Sequence, residues 1–238
     1  MIHEKHFEYY LDNKTYEGVF CWDDDFQGKR PGVLVSHAWF GQGSFEIEKA
    51  KALAQLGYVS FALDMYGKNR RAQNADEASI LMHECVDDRV ELRARILNAI
   101  ETLKAHELCD ANRIGAIGFC FGGRCVLDLA RTGENIGGVV SFHGIYDPPP
   151  FIDDKPIEAS VLVLHGWEDP LATPQQTVAL GKELTQREAD WQILAFGHTG
   201  HAFTNPNAND SANGMMFNTK SNDRAWISMT RFFEEVFN

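Results

Sequence analysis

The sequence predicts an α/β fold, with a mostly parallel, doubly wound sheet and helices packed on both faces. Three observations carry that prediction. Apolar, β-branched runs ending in Gly, Asp, His or Ser recur along the chain, stretches with helical spacing separate them, and the two kinds alternate through most of the 238 residues. Runs without polar alternation read as strands covered on both sides, the habit of parallel strands joined by crossover helices.

Taken in order, the chain opens on MIHEKHFEYYLDNK, charged and polar with no apolar leader core. YEGVFCW (16–22) is expected to add an antiparallel strand or hairpin at one edge. GVLVSH (32–37) is the first buried strand. A helix over 45–56 follows, its apolar face set by Phe45, Ala50, Leu53 and Ala54. YVSFALD (58–64) returns to the sheet. Val90, Leu92, Ile96, Leu97, Ile100 and Leu103 mark a helix over 88–106. RIGAIGF (113–119), GGVVSFHG (137–144), SVLVLHG (160–166) and WQILAF (191–196) complete the buried parallel strands. Helices are expected over 122–131, from Thr173 and over 224–236. The Thr173-Pro174 pair has the N-cap and N1 signature of a helix start. The polar stretch 204–223 has no periodicity and is read as a mobile surface or lid segment. With no repeat, low-complexity tract or linker, residues 1–238 are read as one domain.

Composition narrows the function. A formal net charge of -12 argues against nucleic acid or an anionic membrane as partner, since both need a cationic face. A small molecule is the expected partner. Five cysteines, an odd number with no CxxC pair, suggest neither a disulfide framework nor a zinc ribbon. A reducing compartment fits best, and with no apolar stretch long enough to span a bilayer the expected location is cytoplasmic.

The stretch IGFCFGG (117–123) ends one strand and starts the next helix. Gly118-Phe119-Cys120-Phe121-Gly122 has the form G-x-C-x-G, a nucleophile elbow with sulfur in place of the serine oxygen. Small residues two positions on either side let strand and helix approach. Cys120 would then sit at a helix N-terminus, where free N–H groups and the helix dipole favour the thiolate, and the Phe121 N–H would point at an oxyanion. A buried core cysteine is the plain alternative. Partners in the right order favour the elbow. Asp169 follows the strand 160–166, within His165-Gly166-Trp167-Glu168-Asp169-Pro170, and His201 follows the strand 191–196, within Gly197-His198-Thr199-Gly200-His201-Ala202-Phe203. The order nucleophile, acid, histidine is that of α/β hydrolases.

On GFCFGG (118–123), HGWEDP (165–170), GHTGHAF (197–203), ALDMYG (62–67) and HAWFG (37–41), the chain resembles the dienelactone hydrolase family within the α/β hydrolase fold. The resemblance implies Cys120 as nucleophile, His201 as general base and acid, Asp169 as the group orienting the imidazole, and the Trp39 backbone N–H as second oxyanion donor. It implies hydrolysis of esters or lactones through an acyl-thioester, with no metal or organic cofactor. Members acting on dienelactone carry a glutamate where this chain has Ala38, holding the resting cysteine in check, and an arginine where it has Asn205. Dienelactone is therefore not the expected substrate. Without that carboxylate Cys120 is expected to pair with His201 as thiolate and imidazolium. The same logic extends to activated electrophiles such as neutral phosphotriesters.

Competing readings attach to several residues. Arg70 and Arg71 read as solvated surface, with capture of a substrate carboxylate as the alternative. His198 is the rival base, Glu168 the rival acid, and Asp64 a structural strand-end carboxylate. His198 and His201 lack the context of a metal pair. His37 and His165 are expected to hydrogen-bond locally, with a pocket-lining place as the alternative for His37, and Cys125 to be core instead of a redox partner. Ala38, Phe40, Tyr66, Trp167 and Phe203 are the expected substrate-pocket residues. A non-catalytic α/β-hydrolase-like binding or regulatory module is the competing class.

Overall fold

The computed structural model describes residues 1–151 and 155–238. Eight strands form one sheet in the order β1-β2-β4-β3-β5-β6-β7-β8, taken from β1 (Ile2–Leu11), β2 (Lys14–Asp23), β3 (Arg30–Ser36), β4 (Val59–Ala62), β5 (Cys109–Phe119), β6 (Gly138–Phe142), β7 (Ser160–Gly166) and β8 (Trp191–Phe196). β3 runs parallel to β4, and β6, β7 and β8 run parallel in sequence, so the sheet is mostly parallel and flanked by helices as the sequence predicts. The chain divides into two compact units, Met1–Ile117 and Gly118–Asn238.

In the first unit β1 and β2 form an antiparallel hairpin whose turn places Asp12 at φ +50°. The sequence reading marked only the β2 half. β1 is an edge strand with polar side chains on both faces (His3, Glu4, Lys5, His6, Glu8), which hides the period-2 signal. Helices α1 (Ser44–Gln55), α2 (Ala75–Val86) and α3 (Arg89–Lys104) complete the unit. α3 buries Leu92, Ile96, Ala99, Ile100 and Leu103, the i, i+4, i+7, i+8, i+11 stripe of an amphipathic helix. α2 was not foreseen because it buries only Ala78 and Cys85, too few for a readable stripe. Its start signal is local: Asn74 caps it by accepting from the Glu77 N–H.

The second unit holds α4 (Phe121–Arg131), α5 (Pro174–Gln186) and α6 (Thr219–Val236). Thr173 caps α5 with Pro174 at its first turn, as expected, and Gln176 closes a capping box. β8 corrects the reading of a buried strand. It is parallel, but at the sheet edge, with Gln192, Leu194 and Ala195 exposed. Its apolar run WQILAF could not show that no strand lies beyond it. The stretch 204–223 is also more ordered than a lid. Its last five residues begin α6, and a two-strand ladder, β9 (Asn209–Asp210) with β10 (Met215–Met216), occupies its middle.

No helix among the described residues is long and apolar enough to cross a membrane.

Candidate active site

β5 runs into α4 through one residue, Cys120. Its backbone is at φ +56°, ψ −113°, a strained conformation for a residue with a Cβ, and its N–H is held by the Phe142 carbonyl at 3.1 Å. That strain lifts the thiol out of the strand line and sets it at the N-terminus of α4, half-buried and free of disulfides. Phe121 is the first helical residue, so its N–H belongs to the first turn, which has no intrahelical acceptor.

Gly118 explains why the elbow is tight. A Cβ there would lie 2.0 Å from the Gly122 carbonyl oxygen and 2.3 Å from its carbon, both rigid backbone. Gly118→Ala is therefore expected to cost about 3 kcal/mol or more of stability. Urea titration checks this through a lowered midpoint at unchanged slope. A wild-type midpoint would show that the elbow can open.

The acid and base meet through loops that follow β7 and β8. Asp169 closes a turn onto the Gly166 carbonyl (3.0 Å), and its Oδ1 accepts from the Leu171 N–H at 2.8 Å. Its Oδ2 lies 2.7 Å from His201 Nδ1, with both side chains buried. The approach depends on glycines. A Cβ on Gly166 would lie 2.3 Å from the Gly200 oxygen, and one on Gly200 would lie 2.2 Å from the Gly214 oxygen. His201 is also clamped by backbone, its N–H donating to Gly214 (2.8 Å) and its carbonyl accepting from Met216 (3.2 Å). The segment expected to be mobile thus holds the histidine.

With Nδ1 on Asp169, the imidazole presents Nε2 on its other side. Nε2 is buried with no well-aligned hydrogen bond among the described residues, although the Cys120 sulfur is near enough to act on the ring. Such contacts are often loose before substrate arrives. Burial pushes the imidazole pKa down, but the Cys120 charge and the Asp169 hydrogen bond outweigh it, and the pKa rises to about 10.

The neighbouring groups are occupied elsewhere. His198 is 99% exposed and paired with Glu168 at 3.2 Å, away from Asp169. His165 is bracketed by the Tyr146 hydroxyl (3.0 Å) and the Thr177 hydroxyl (3.2 Å), and burial pushes its pKa down. His37 bonds the Ala38 carbonyl (2.6 Å) and accepts from the Met65 N–H (3.1 Å). Burial takes its pKa to about 4, so it stays neutral. Asp64 accepts from the Tyr66 and Gly67 N–H groups and from Arg71, a structural carboxylate. Arg71 also donates to the Gln42 carbonyl and side chain, while Arg70 pairs with Glu84. Cys125 lies buried in α4. Among the described residues no group of three His, Cys, Asp or Glu is arranged to hold a metal ion.

Within the first unit, the loop after β3 carries Ala38, Trp39 and Phe40. It closes on itself through the Gly41 N–H and Ala38 carbonyl (3.1 Å), and the Tyr66 hydroxyl donates to the Trp39 carbonyl at 2.9 Å. The sequence reading missed Glu46. Its buried carboxylate accepts from the Ala38 (3.2 Å) and Gly43 (2.9 Å) N–H groups, fixing both ends of the loop. Burial raises its pKa, opposed by those same bonds. The available signal was a glutamate at the third position of a helix that starts on glycine. Phe40 and Trp167 are largely exposed, at 41% and 47%, whereas Phe203 is fully buried against Phe196 and His143.

The sheet order and the strand-to-helix turn at Cys120 are those of the α/β hydrolase fold. The chain belongs to the dienelactone hydrolase family, whose model matches residues 18–237. It is similar to the solved structure m3DLH, at 35% identity and TM-score 0.95 over 100% of this chain and 99% of the other. It is similar to a dienelactone hydrolase-like promiscuous phosphotriesterase from metagenomic libraries, at 34% identity and TM-score 0.94, again over 100% and 99%. A Bradyrhizobium relative named "Probable 2-oxo-3-(5-oxofuran-2-ylidene)propanoate lactonase" is 28% identical over 187 residues, 74% of each chain. The protein is a hydrolase acting on ester bonds.

Proposed function

We propose that the protein hydrolyses carboxylic esters or lactones through Cys120, His201 and Asp169, the whole chain serving as one catalytic domain. The observation that carries this reading is the buried Asp169–His201 pair, which turns the imidazole Nε2 away from Asp169 and leaves the ring within reach of the charge of Cys120 at a strained helix N-terminus.

The Cys120 thiolate attacks the carbonyl carbon, and the negative oxygen is met by the Phe121 N–H and, by family resemblance, the Trp39 N–H. His201 donates its proton to the departing alkoxide, leaving an acyl-thioester. Water then gives a proton to His201 as it attacks the thioester, and the thiolate leaves to re-form the resting pair. No step calls for a metal or organic cofactor.

Dienelactone itself fits poorly. Asn205 stands where such members carry an arginine, and Arg71 is already bound to Asp64 and Gln42. Neutral phosphotriesters are a second substrate class, supported by the likeness to the promiscuous phosphotriesterase. Attack at phosphorus would expel the aryl oxide and leave a phosphothioester for water to cleave.

A p-nitrophenyl acetate and butyrate series, with intact-mass detection of an acyl adduct, tests the reading. Turnover with an adduct on Cys120 is the expected result; an inert wild type would sink it. Ala38→Glu is expected to slow acylation about tenfold by giving the imidazolium and thiolate a competing partner. An unchanged rate would remove the argument from the missing carboxylate.

A further inference from the structure

His143, at the end of β6, has no part in the chemistry just described. Its backbone lies at φ +37°, in the region where a residue with a Cβ is strained. A glycine would sit there relaxed, yet the chain keeps an imidazole and places the glycine next, at Gly144. Strain of this kind persists only where the surroundings hold it.

The ring is buried, 2% exposed, and touches three residues of one turn. It stands edge-on to His201 with centroids 5.0 Å apart, and edge-on to Phe203 at 5.1 Å. Its Nε2 lies 2.8 Å from the buried Thr204 hydroxyl. The backbone around it joins the other two parts of the site. The Phe142 carbonyl accepts the Cys120 N–H, and the His143 N–H donates to Leu164 on β7 at 2.9 Å.

Asp169 holds His201 at one atom, Nδ1, and a ring tethered at one atom can still swing about that bond. The turn beyond it is itself strained, with Ala202 at φ +56°. We propose that His143 is a positioning residue for His201: its ring edge and its bond to Thr204 fix the plane of the base, limiting the arc through which Nε2 must turn to meet Cys120. This rests on the reading of His201 as the base.

Three variants separate positioning from packing. His143→Phe keeps an aromatic edge but loses the Thr204 bond, Thr204→Val loses the same bond from the other side, and His143→Gln keeps an amide within reach of it. Phe and Val are each expected to lower kcat on p-nitrophenyl acetate about 10- to 100-fold. KM should stay within about twofold, and Gln should recover most of the rate. The double variant should lose no more than either single one, since both remove one interaction. An unchanged kcat in both single variants overturns the proposal. So does a loss that tracks the unfolding midpoint with Gln no better than Phe. Acylation of wild-type Cys120 establishes the underlying reading separately. If the wild type never acylates, that reading fails, and the NMR resonance of the His201 Nδ1 proton decides this proposal. A shift in His143→Phe supports it, and an unmoved resonance overturns it.

Discussion

Cys120→Ala is expected to lower kcat on p-nitrophenyl esters by about 10⁴ or more, roughly 5.5 kcal/mol of transition-state stabilisation, and to abolish the acyl adduct. The size follows from what is removed: alanine keeps the elbow backbone and the helix N-terminus but deletes the sulfur proposed to form the covalent intermediate. The side chain is half-buried and free of disulfides, so the unfolding midpoint should move little. Activity and stability therefore separate in this variant. Steady-state kinetics, intact mass and urea titration on the same preparation check it, and a wild-type rate in Cys120→Ala would show that another group attacks the ester.

Asp169→Asn is expected to cost about 10³ to 10⁴ in kcat, because an amide can hold the imidazole in the wrong tautomer and adds no charge to support the imidazolium. A pH signature accompanies the loss. In the wild type His201 is raised to about 10, burial opposing and the Cys120 charge and Asp169 bond prevailing. In the proposed mechanism the imidazolium donates the proton to the leaving group, so acylation should hold to alkaline pH and fall as pH rises through about 10. Removing Asp169 takes away a raising influence, so this limb should move to lower pH. Stability carries the same sign. A raised histidine stabilises the fold fully below its ordinary pKa of about 6.5, and that contribution is lost as pH rises through the folded value. Wild type and Asp169→Asn should therefore differ most in midpoint at acid to neutral pH and converge in alkali. A variant whose alkaline limb stays where the wild type has it would show that Asp169 does not govern the imidazole.

Much of this site was readable before the fold was known, and the reasons are local. Gly118, Phe119 and Cys120 are three consecutive positions entering one turn, and a turn that tight leaves a spacing in the sequence. Thr173 and Pro174 start α5 through bonds within four residues. Asp169 and His201 each follow an apolar run, and strand ends are where this fold places its chemistry. The hold of Glu46 on Ala38 and the placing of His143 were not readable in this way. The first acts on a backbone N–H eight residues away, and the second through a ring contact with a residue 58 positions later. Neither leaves a periodic trace.

The sequence by itself determined the alternation of strand and helix, the tight turn at Cys120, and the placement of Cys120, Asp169 and His201 after strands, because short-range sterics and hydrophobic period dictate all three. Only the tertiary structure decided that β8 is an edge, that 204–223 clamps His201, that Arg71 is spent on Asp64 and Gln42, and that the His143 ring stands edge-on to His201. These depend on which backbone groups meet across long stretches of chain. Close approach at Gly166, Gly200 and Gly214, the burial that lowers His165, and the partners that raise His201 against its burial exist only once the strands have paired.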